Sequence, residues 1–244
     1  MFLFGAVTII LVLLGVVCIT IFFDQAVLVR KGTVYRIRAS EKVVALTFDD
    51  GPSPVWTPQI LDELKKAGIK ATFFMLGDHV EQYPDVARRV AAEGHEIANH
   101  TYDHQTILYY NPEELKNEIS HAQKVIEDIT GIKTRYFRPP KAWLSQAEKQ
   151  QIKEMGYTTI LWSLNSKDWV TFHDKQITAY ILGHIRPGDI ILFHDSGGVF
   201  SHQGGNRKQT VKTIPRLVEK LKEKGYRFVT ISELLNLQEK DETR

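Results

Sequence analysis

Short apolar runs rich in β-branched residues alternate along the chain with longer amphipathic stretches. Seven such runs predict buried strands near 43–48, 71–76, 95–99, 134–137, 158–163, 190–194 and 226–230. Between them, apolar residues recur at helical spacing near 57–67, 80–93, 111–130, 145–155, 174–185 and 210–224. This alternation predicts an α/β fold with a parallel sheet and right-handed crossovers, either a closed barrel or an open doubly wound sheet.

Local signals mark the ends of several predicted helices. Thr57, Asn111 and Ser145 carry side-chain oxygens suited to N-caps, and Gly68 and Gly131 are placed to end helices. No phosphate-binding loop follows the first strand, which disfavours a nucleotide-binding fold.

The first 23 residues contain no charged side chain. At about 1.5 Å per residue, a helix over 1–23 reaches roughly 34 Å, enough to span a hydrocarbon core of roughly 30 Å. No basic residue precedes this run and no Ala-x-Ala cleavage site follows it, so an uncleaved transmembrane anchor is favoured over a removed signal. Cys18 follows Val17 rather than a small residue, and is interpreted as an apolar membrane residue.

The rest of the chain divides into a juxtamembrane linker at 24–40, one domain at 41–236 and a polar tail at 237–244. The linker carries four basic residues: Arg30, Lys31, Arg36 and Arg38. The positive-inside tendency would keep them in the cytoplasm, although a large translocated domain can override it. The basic residues and a translocated domain therefore imply opposite orientations of the anchor in the membrane.

Composition narrows the possible chemistry. Lys and Arg number 31 against 29 Asp and Glu, so the net charge is +2 and gives no reason to expect nucleic-acid binding. A single cysteine excludes an internal disulfide and a Cys-rich zinc site. Any metal site must therefore use histidine and carboxylate ligands.

Polar clusters stand at the ends of five predicted strands, where barrel and doubly wound enzymes place their active sites. The five clusters are 47–52, 95–104, 137–140, 166–169 and 191–195. His100 and His104 are four apart, so on a helical turn both imidazoles could share one metal. Asp49 and Asp50 would point to opposite faces of a regular strand, but at a strand end one can bind metal while the other acts as a base.

Five short motifs resemble those of the polysaccharide deacetylases of the NodB-homology family, carbohydrate esterase family 4. They are TFDDGP at 47–52, HTYDH at 100–104, RPP at 138–140, DW at 168–169 and ILFHD at 191–195. Their order along 40–236 makes the resemblance specific, although each motif alone is weak. It implies a distorted (β/α) barrel with fewer than eight strands, in agreement with the count of seven.

The resemblance also implies roles for individual residues. Asp50, His100 and His104 would bind a divalent metal, zinc before cobalt or nickel. Asp49 would be the general base that deprotonates the attacking water, and Arg138 would pair with it and keep it ionised.

The same motifs imply which residues protonate the leaving group and which bind the substrate. His194 would be the general acid that protonates the departing amine, with Asp168 holding its imidazolium. The backbone N–H of Lys141 would stabilise the oxyanion together with the metal. Substrate-binding residues are expected to be Pro139, Lys141, Trp169 and Leu192, the last two around the acetyl methyl. The implied reaction is hydrolysis of N-acetyl groups from an amino-sugar polymer, which releases acetate.

The sequence departs from the family after RPP, where Tyr-Gly is usual and Lys141-Ala142-Trp143 stands instead. Lys141 could meet an anionic part of the substrate or simply lie on the surface, and Trp143 could stack on a sugar or pack. Outside the motifs, His79 is expected on a surface or a helix face.

Other functions remain open from the residues alone. The same site could cleave an O-acetyl ester, or the chain could be a catalytically silent glycan-binding relative. Two histidines and a carboxylate also form the facial triad of non-haem iron oxygenases, which the flanking base and acid disfavour. We expect a monomeric, single-pass protein of the bacterial cell membrane, with its catalytic domain outside the cell and facing peptidoglycan or a chitin-like glycan.

Overall fold

The structure is a computed structural model that describes residues 2–22, 26, 29–171, 173–197 and 204–242. The strands are β1 Val43–Gly51, β2 Thr72–Met75, β3 Glu96–Asn99, β4 Tyr136–Phe137, β5 Thr158–Thr159, β6 Leu164–Asn165, β7 Asp189–His194 and β8 Arg227–Phe228. The helices are α1 Phe2–Phe22, α2 Trp56–Ala67, α3 Gly77–Gln82, α4 Pro84–Ala92, α5 Pro112–Thr130, α6 Gln146–Glu154, α7 Asp174–His184, α8 Lys208–Glu223 and α9 Ile231–Glu242.

All ladders between these strands are parallel, and the strand order is β5-β4-β3-β2-β1-β7-β6, with β8 beside the start of β1. Each of the seven predicted strand regions contains a strand. The eighth arises because the apolar run predicted at 158–163 is not one strand: β5 ends at Thr159, and β6 begins only at Leu164. The result is the expected distorted barrel, in which β5 and β6 form the two ends of the sheet.

Strand β1 separates two apolar layers by simple alternation. Val44, Leu46 and Phe48 point outward and pack under helices such as α2 and α8. Val43 and Ala45 point inward, into a second layer that α9 also enters. Inward-facing positions near the carboxyl end of β1 therefore lead directly to the mouth of the barrel.

Residues 34–37, which lie within the segment predicted as a linker at 24–40, contact both the chain beyond β5 and the start of β7. Val34 forms a bridge with Ile160 beyond β5, and Arg36 forms one with Asp189 at the start of β7. Ile37 is 2% exposed and belongs to the inner apolar layer. Apolar side chains that complete a barrel wall cannot be distinguished by sequence from those of a short linker, since both are brief and mixed with charges.

We expect Ile37→Ala to lower the free energy of unfolding by about 2–5 kcal/mol, because it removes buried methyl groups and leaves a cavity. The measurement is chemical denaturation of the full-length chain. Val55→Ala serves as the control, since Val55 is 53% exposed and its truncation should change little. Equal effects of the two substitutions would contradict the packed position of Ile37.

The predicted anchor at 1–23 corresponds to α1, of which side chains are described for 5–15. Among the described residues, no helix combines the length and the apolarity that a membrane crossing requires. At the other end of the chain, α9 continues to Glu242 and so occupies most of the predicted polar tail at 237–244.

Two predicted N-caps are confirmed and one is wrong. Asn111 and Ser145 each form a capping box, with Glu114 and Glu148 respectively. Thr57 lies inside α2, which begins one residue earlier, because its hydroxyl is engaged elsewhere, as described below. The helix predicted at 80–93 divides into α3 and α4, since the residue before Pro84 is driven out of the helical conformation.

Candidate active site

The predicted site residues converge on the carboxyl edge of the sheet. Asp49 and His194 are register partners on the neighbouring strands β1 and β7. His100 follows β3, Arg138 follows β4 and Asp168 lies beyond β6. Because parallel strands end at the same edge, residues far apart in the chain meet there, as the sequence predicts.

A bulge at the end of β1 lets two consecutive aspartates reach one site. The pairing of β1 with β2 shifts register between Asp49 and Gly51, and Asp50 takes a left-handed backbone conformation with φ 74°. Asp49 keeps the inward direction of Ala45. The bulge releases Asp50 from the strict alternation of a strand, so both carboxylates serve the same edge of the barrel.

His100 and His104 lie on an irregular loop, not on the helical turn that their spacing suggested. Thr101 and His104 both have left-handed backbones, with φ 75° and 62°. The half-buried carboxylate of Glu118 on α5 holds this loop, accepting hydrogen bonds from two successive backbone N–H groups, those of Tyr102 at 2.6 Å and Asp103 at 3.0 Å. The imidazoles meet through this tertiary contact, with ring centroids 5.2 Å apart.

Asp50, His100 and His104 form a trio suited to a divalent cation. The Asp50 Oδ1 atom lies 3.4 Å from His100 Nε2 and 3.2 Å from His104 Nε2. The three candidate ligand atoms all lie within 4.8 Å of one another. Two imidazoles and one carboxylate are a ligand set that zinc uses where it keeps coordination positions open for water and substrate.

Interactions with neighbouring groups orient this trio. His100 Nδ1 lies 2.7 Å from the Arg138 backbone oxygen, so an N–H there leaves Nε2 free as a ligand. Burial disfavours the charged form of Asp50, but the facing imidazoles of His104 and His100 outweigh burial and hold the pKa of this carboxyl well below its usual range. The residues present therefore fit a cation at this position.

Asp49 and Arg138 form a buried ion pair beside the trio. Arg138 is completely buried and its Nη1 donates to Asp49 Oδ1 at 2.6 Å and to Thr47 Oγ1 at 2.9 Å. The guanidinium also lies over the ring of Phe74, with 3.9 Å between its Cζ atom and the ring centroid. Burial lowers the pKa of Arg138, while the charge of Asp49 opposes that shift. The pair fixes the Asp49 carboxyl group in one orientation at the site.

His194 and Asp168 form a second pair on the other side of the trio. Asp168 Oδ1 lies 2.8 Å from His194 Nδ1, and Oδ2 accepts from the His194 backbone N–H at 2.9 Å and from the Thr210 hydroxyl at 2.8 Å. Burial disfavours the charged imidazolium, but the charge and hydrogen bond of Asp168 outweigh it and raise the pKa of His194. The pKa of Asp168 is lowered, since the interactions with His194 outweigh its burial.

The residues expected to bind substrate lie around this edge and differ in their solvent exposure. Pro139 is buried, Leu192 is 3% exposed on the inner face of β7, and Trp169 is half-buried beside Asp168. Lys141 is exposed, and its Nζ donates to Thr106 Oγ1 at 3.3 Å, two residues beyond His104.

Backbone strain among the described residues is concentrated at this edge. Six non-glycine residues have left-handed φ values: Asp50, Thr101, His104, Lys141, Ala142 and Lys167. Each such conformation costs roughly 1–2 kcal/mol, so it persists only where the surrounding structure enforces it. Five of the six lie in the loops that carry the site and Asp50 lies in the β1 bulge, as expected for a constrained functional centre. Ala142 stands at the position where the family usually has glycine, which accepts this conformation without cost.

Two buried residues of the site were missed by the sequence analysis. His79 is buried rather than on a surface, and its Nδ1 lies 2.7 Å from the backbone oxygen of Asp50. Asp195 ends the ILFHD motif but received no role; burial, first of all, raises its pKa to about 7. No local pattern could assign His79, because its partner is 29 residues away.

A barrel whose carboxyl edge carries a His–His–carboxylate trio, beside the Asp49–Arg138 pair and the His194–Asp168 pair, is an arrangement typical of metal-dependent hydrolases. Comparison with known proteins refines this class. A profile of the polysaccharide deacetylase family matches residues 36–160, and the chain belongs to this family. The oxygenase alternative is thereby removed.

Individual relatives show how far the similarity extends. A peptidoglycan-N-acetylglucosamine deacetylase of Bacillus cereus is 39% identical over 203 residues, covering 82% of this chain and 92% of the relative. The peptidoglycan-N-acetylmuramic acid deacetylase PdaC of Bacillus subtilis is 33% identical over 205 residues, covering 84% of this chain and 41% of PdaC. The crystal structure of the Bc1960 peptidoglycan N-acetylglucosamine deacetylase superimposes with a TM-score of 0.78 at 33% identity, covering 83% of this chain and 92% of that one.

Proposed function

We propose that this protein hydrolyses N-acetyl groups of peptidoglycan amino sugars and releases acetate. The observation that carries the proposal is the arrangement at the barrel mouth. The trio of Asp50, His100 and His104 lies beside two pairs: the proposed base Asp49 with Arg138, both buried, and the proposed acid His194, half-buried, with buried Asp168. Amide hydrolysis needs both groups, because a water must lose a proton and the departing amine must gain one.

Asp49 accepts the proton of the attacking water. Its Oδ1 is engaged by Arg138, while Oδ2 lies 3.9 Å from His100 Nε2 and so faces the trio. A divalent cation held by the trio, zinc in this proposal, supplies Lewis acidity toward the water and the acetyl carbonyl. Cobalt or nickel would fit the same ligands.

His194 delivers the proton to the sugar nitrogen as the C–N bond breaks. Its Nδ1 is occupied by Asp168, so Nε2 is the atom that donates. In this proposal the backbone N–H of Lys141, a residue with a left-handed backbone, stabilises the tetrahedral oxyanion. In this proposal Leu192 and Trp169 line the small pocket for the acetyl methyl, and Pro139 contributes to substrate binding.

The raised pKa of His194 gives a pH dependence with a definite sign. His194 must be protonated to act, so kcat/KM should fall as pH rises through its pKa, above the ordinary value of 6.5. Asp168→Asn removes the charge that raises this pKa and leaves burial to lower it. The alkaline limb of the kcat/KM profile should therefore move to lower pH in Asp168→Asn, and an unmoved limb would contradict the assignment of His194 as acid.

Lys141 provides a test of the substrate's charge. Its ammonium forms no ion pair within the described residues and lies at the rim near the His104 loop. Lys141→Gln should lower kcat/KM by about 2–5-fold on peptidoglycan fragments that carry carboxylates, an effect typical of a rim charge, and leave neutral chitooligosaccharides unchanged. The difference should disappear at high salt. Lys133→Gln, at an exposed site on another face, is the matched control.

The decisive experiment measures acetate from full-length protein, stripped of metal and then given zinc. Purified peptidoglycan, a chitooligosaccharide and an O-acetylated xylan are compared. Zinc-dependent release from peptidoglycan supports the proposal. Release from the xylan alone supports the O-acetyl esterase alternative, and zinc binding without any release supports a silent glycan-binding relative.

We also propose that the uncharged run at 1–23 anchors the protein, as a monomer, in the bacterial cell membrane with the barrel facing the wall. The uncharged run at 1–23 and the polymeric substrate support this location, and the basic residues that follow the run oppose it. Digestion of intact cells with an external protease tests the location. Full protection of the barrel in sealed cells would overturn the extracellular position.

A further inference from the structure

A further buried carboxyl, that of Asp195, lies beneath the bulge that carries Asp49 and Asp50. Asp195 is 0% exposed and directly follows His194. Its backbone N–H donates to the Asp49 backbone oxygen at 3.1 Å. Its side chain belongs to neither the Asp49–Arg138 pair nor the His194–Asp168 pair.

The carboxyl of Asp195 is held from the α2 side by Thr57. The Thr57 hydroxyl donates to Asp195 Oδ2 at 2.5 Å and accepts from the Ser53 backbone N–H at 2.7 Å. Ser53 is two residues beyond the end of β1. The hydroxyl therefore links the carboxyl to the chain that leaves the bulge, which is why Thr57 does not cap α2.

The carboxyl also fills the space under the bulge. A Cβ atom on Gly51 would overlap both carboxyl oxygens of Asp195, and a Cβ atom on Gly197 would overlap Asp50 Oδ2. The glycines allow the two strand ends to approach closely, so the carboxyl contacts the backbone of the bulge directly. The bulge is thus supported from below by Asp195 at the point where Asp50 leaves the strand.

This arrangement carries an energetic cost. Oδ1 of Asp195 is buried and has no hydrogen-bond partner within the described residues. An unpaired buried polar atom costs about 1–3 kcal/mol, and a simple core side chain in its place would avoid that cost.

We propose that Asp195 is a positioning residue that, through Thr57, fixes the bulge so that Asp50 meets the two histidines and Asp49 meets Arg138. The inference rests on the metal site of the proposed function. What matters is the shape and acceptor oxygen of the side chain, so Asp195→Asn should serve nearly as well, whereas Asp195→Ala removes the support.

The test measures zinc affinity of the metal-stripped full-length chain by calorimetric titration, together with kcat, KM and the melting temperature. Asp195→Ala should weaken zinc binding and lower kcat by about 10–100-fold each, the usual cost of losing an outer partner, with KM nearly unchanged. Asp195→Asn should restore both to within about threefold. Zinc affinity is independent of the true substrate, so failure of this inference is distinguishable from failure of the proposed function.

Asp189→Asn is the matched control, because Asp189 is an equally buried carboxylate at the opposite end of the same strand, where it pairs with Arg36. It should lower the melting temperature without changing zinc affinity. Should Asp195→Ala fail to fold, Thr57→Val and Thr57→Ser decide: valine should weaken zinc binding and serine should not. Unchanged zinc affinity in Asp195→Ala or Thr57→Val, or an Asp195→Asn protein as impaired as Asp195→Ala, would overturn the proposal.

Discussion

Replacing Asp49 with asparagine is expected to reduce acetate release by about 10²–10⁴-fold, the usual contribution of a positioned general base. The amide has nearly the same shape as the carboxylate and can still accept from Arg138, but it cannot take a proton from water. Zinc binding should persist, because the trio of Asp50, His100 and His104 is intact. The measurement is kcat by acetate release, with zinc content determined on the same sample.

A control variant and a measurement of the melting temperature isolate the chemical step in Asp49→Asn. Asp85→Asn changes a carboxylate whose side chain is 94% exposed on the surface, and it should leave activity unchanged. The loss of one charge also leaves Arg138 without an ionised partner, so the melting temperature should fall and the assay must be run well below it. Retention of more than a tenth of wild-type kcat, with zinc bound, would show that another group acts as base.

The second large effect is expected from His104→Ala. It removes one of three ligand groups, so the loss of zinc affinity should exceed the roughly 10–100-fold cost of losing an outer hydrogen-bond partner. Activity should fall with metal occupancy and recover partly at high zinc concentration. Dialysis followed by zinc analysis, and titration of the stripped protein, measure the change.

His173→Ala is the matched control for this substitution, because His173 is exposed and remote from the trio in sequence. It should bind one zinc per chain with wild-type affinity. A His104→Ala protein that kept wild-type zinc affinity would remove His104 from the metal site. It would also leave unexplained the strained backbone on which this residue stands.

These predictions share one physical picture. The catalytic groups lie at strand ends and in short loops, where left-handed residues are held by partners such as half-buried Glu118 for the histidine loop and buried Asp195 for the β1 bulge. A site built in this way should respond to changes in those partners as well as in the ligands. Asp195→Ala should then weaken zinc binding, whereas Asp189→Asn should lower the melting temperature without changing zinc affinity.

Much of the fold and of the candidate site could be predicted from the sequence alone. Periodicity predicted seven of the eight described strands, all but β6, and most helices, since burial on one or both faces imposes a repeat that can be read locally. The order of polar clusters at strand ends also predicted which residues meet, because parallel strands share a carboxyl edge. Asp50, His100 and His104 were proposed as ligands on this basis and through the family resemblance, and the structure brings them together.

Only the tertiary structure decided how those residues meet. The bulge at Asp50, the loop in place of a helical turn at His104 and the insertion of 34–37 between β5 and β7 all depend on partners distant in the chain. The same holds for His79 and for Asp195, whose contacts span 29 and 138 residues. Sequence patterns report local burial and periodicity, whereas these features arise from contacts that exist only once the barrel has closed around them.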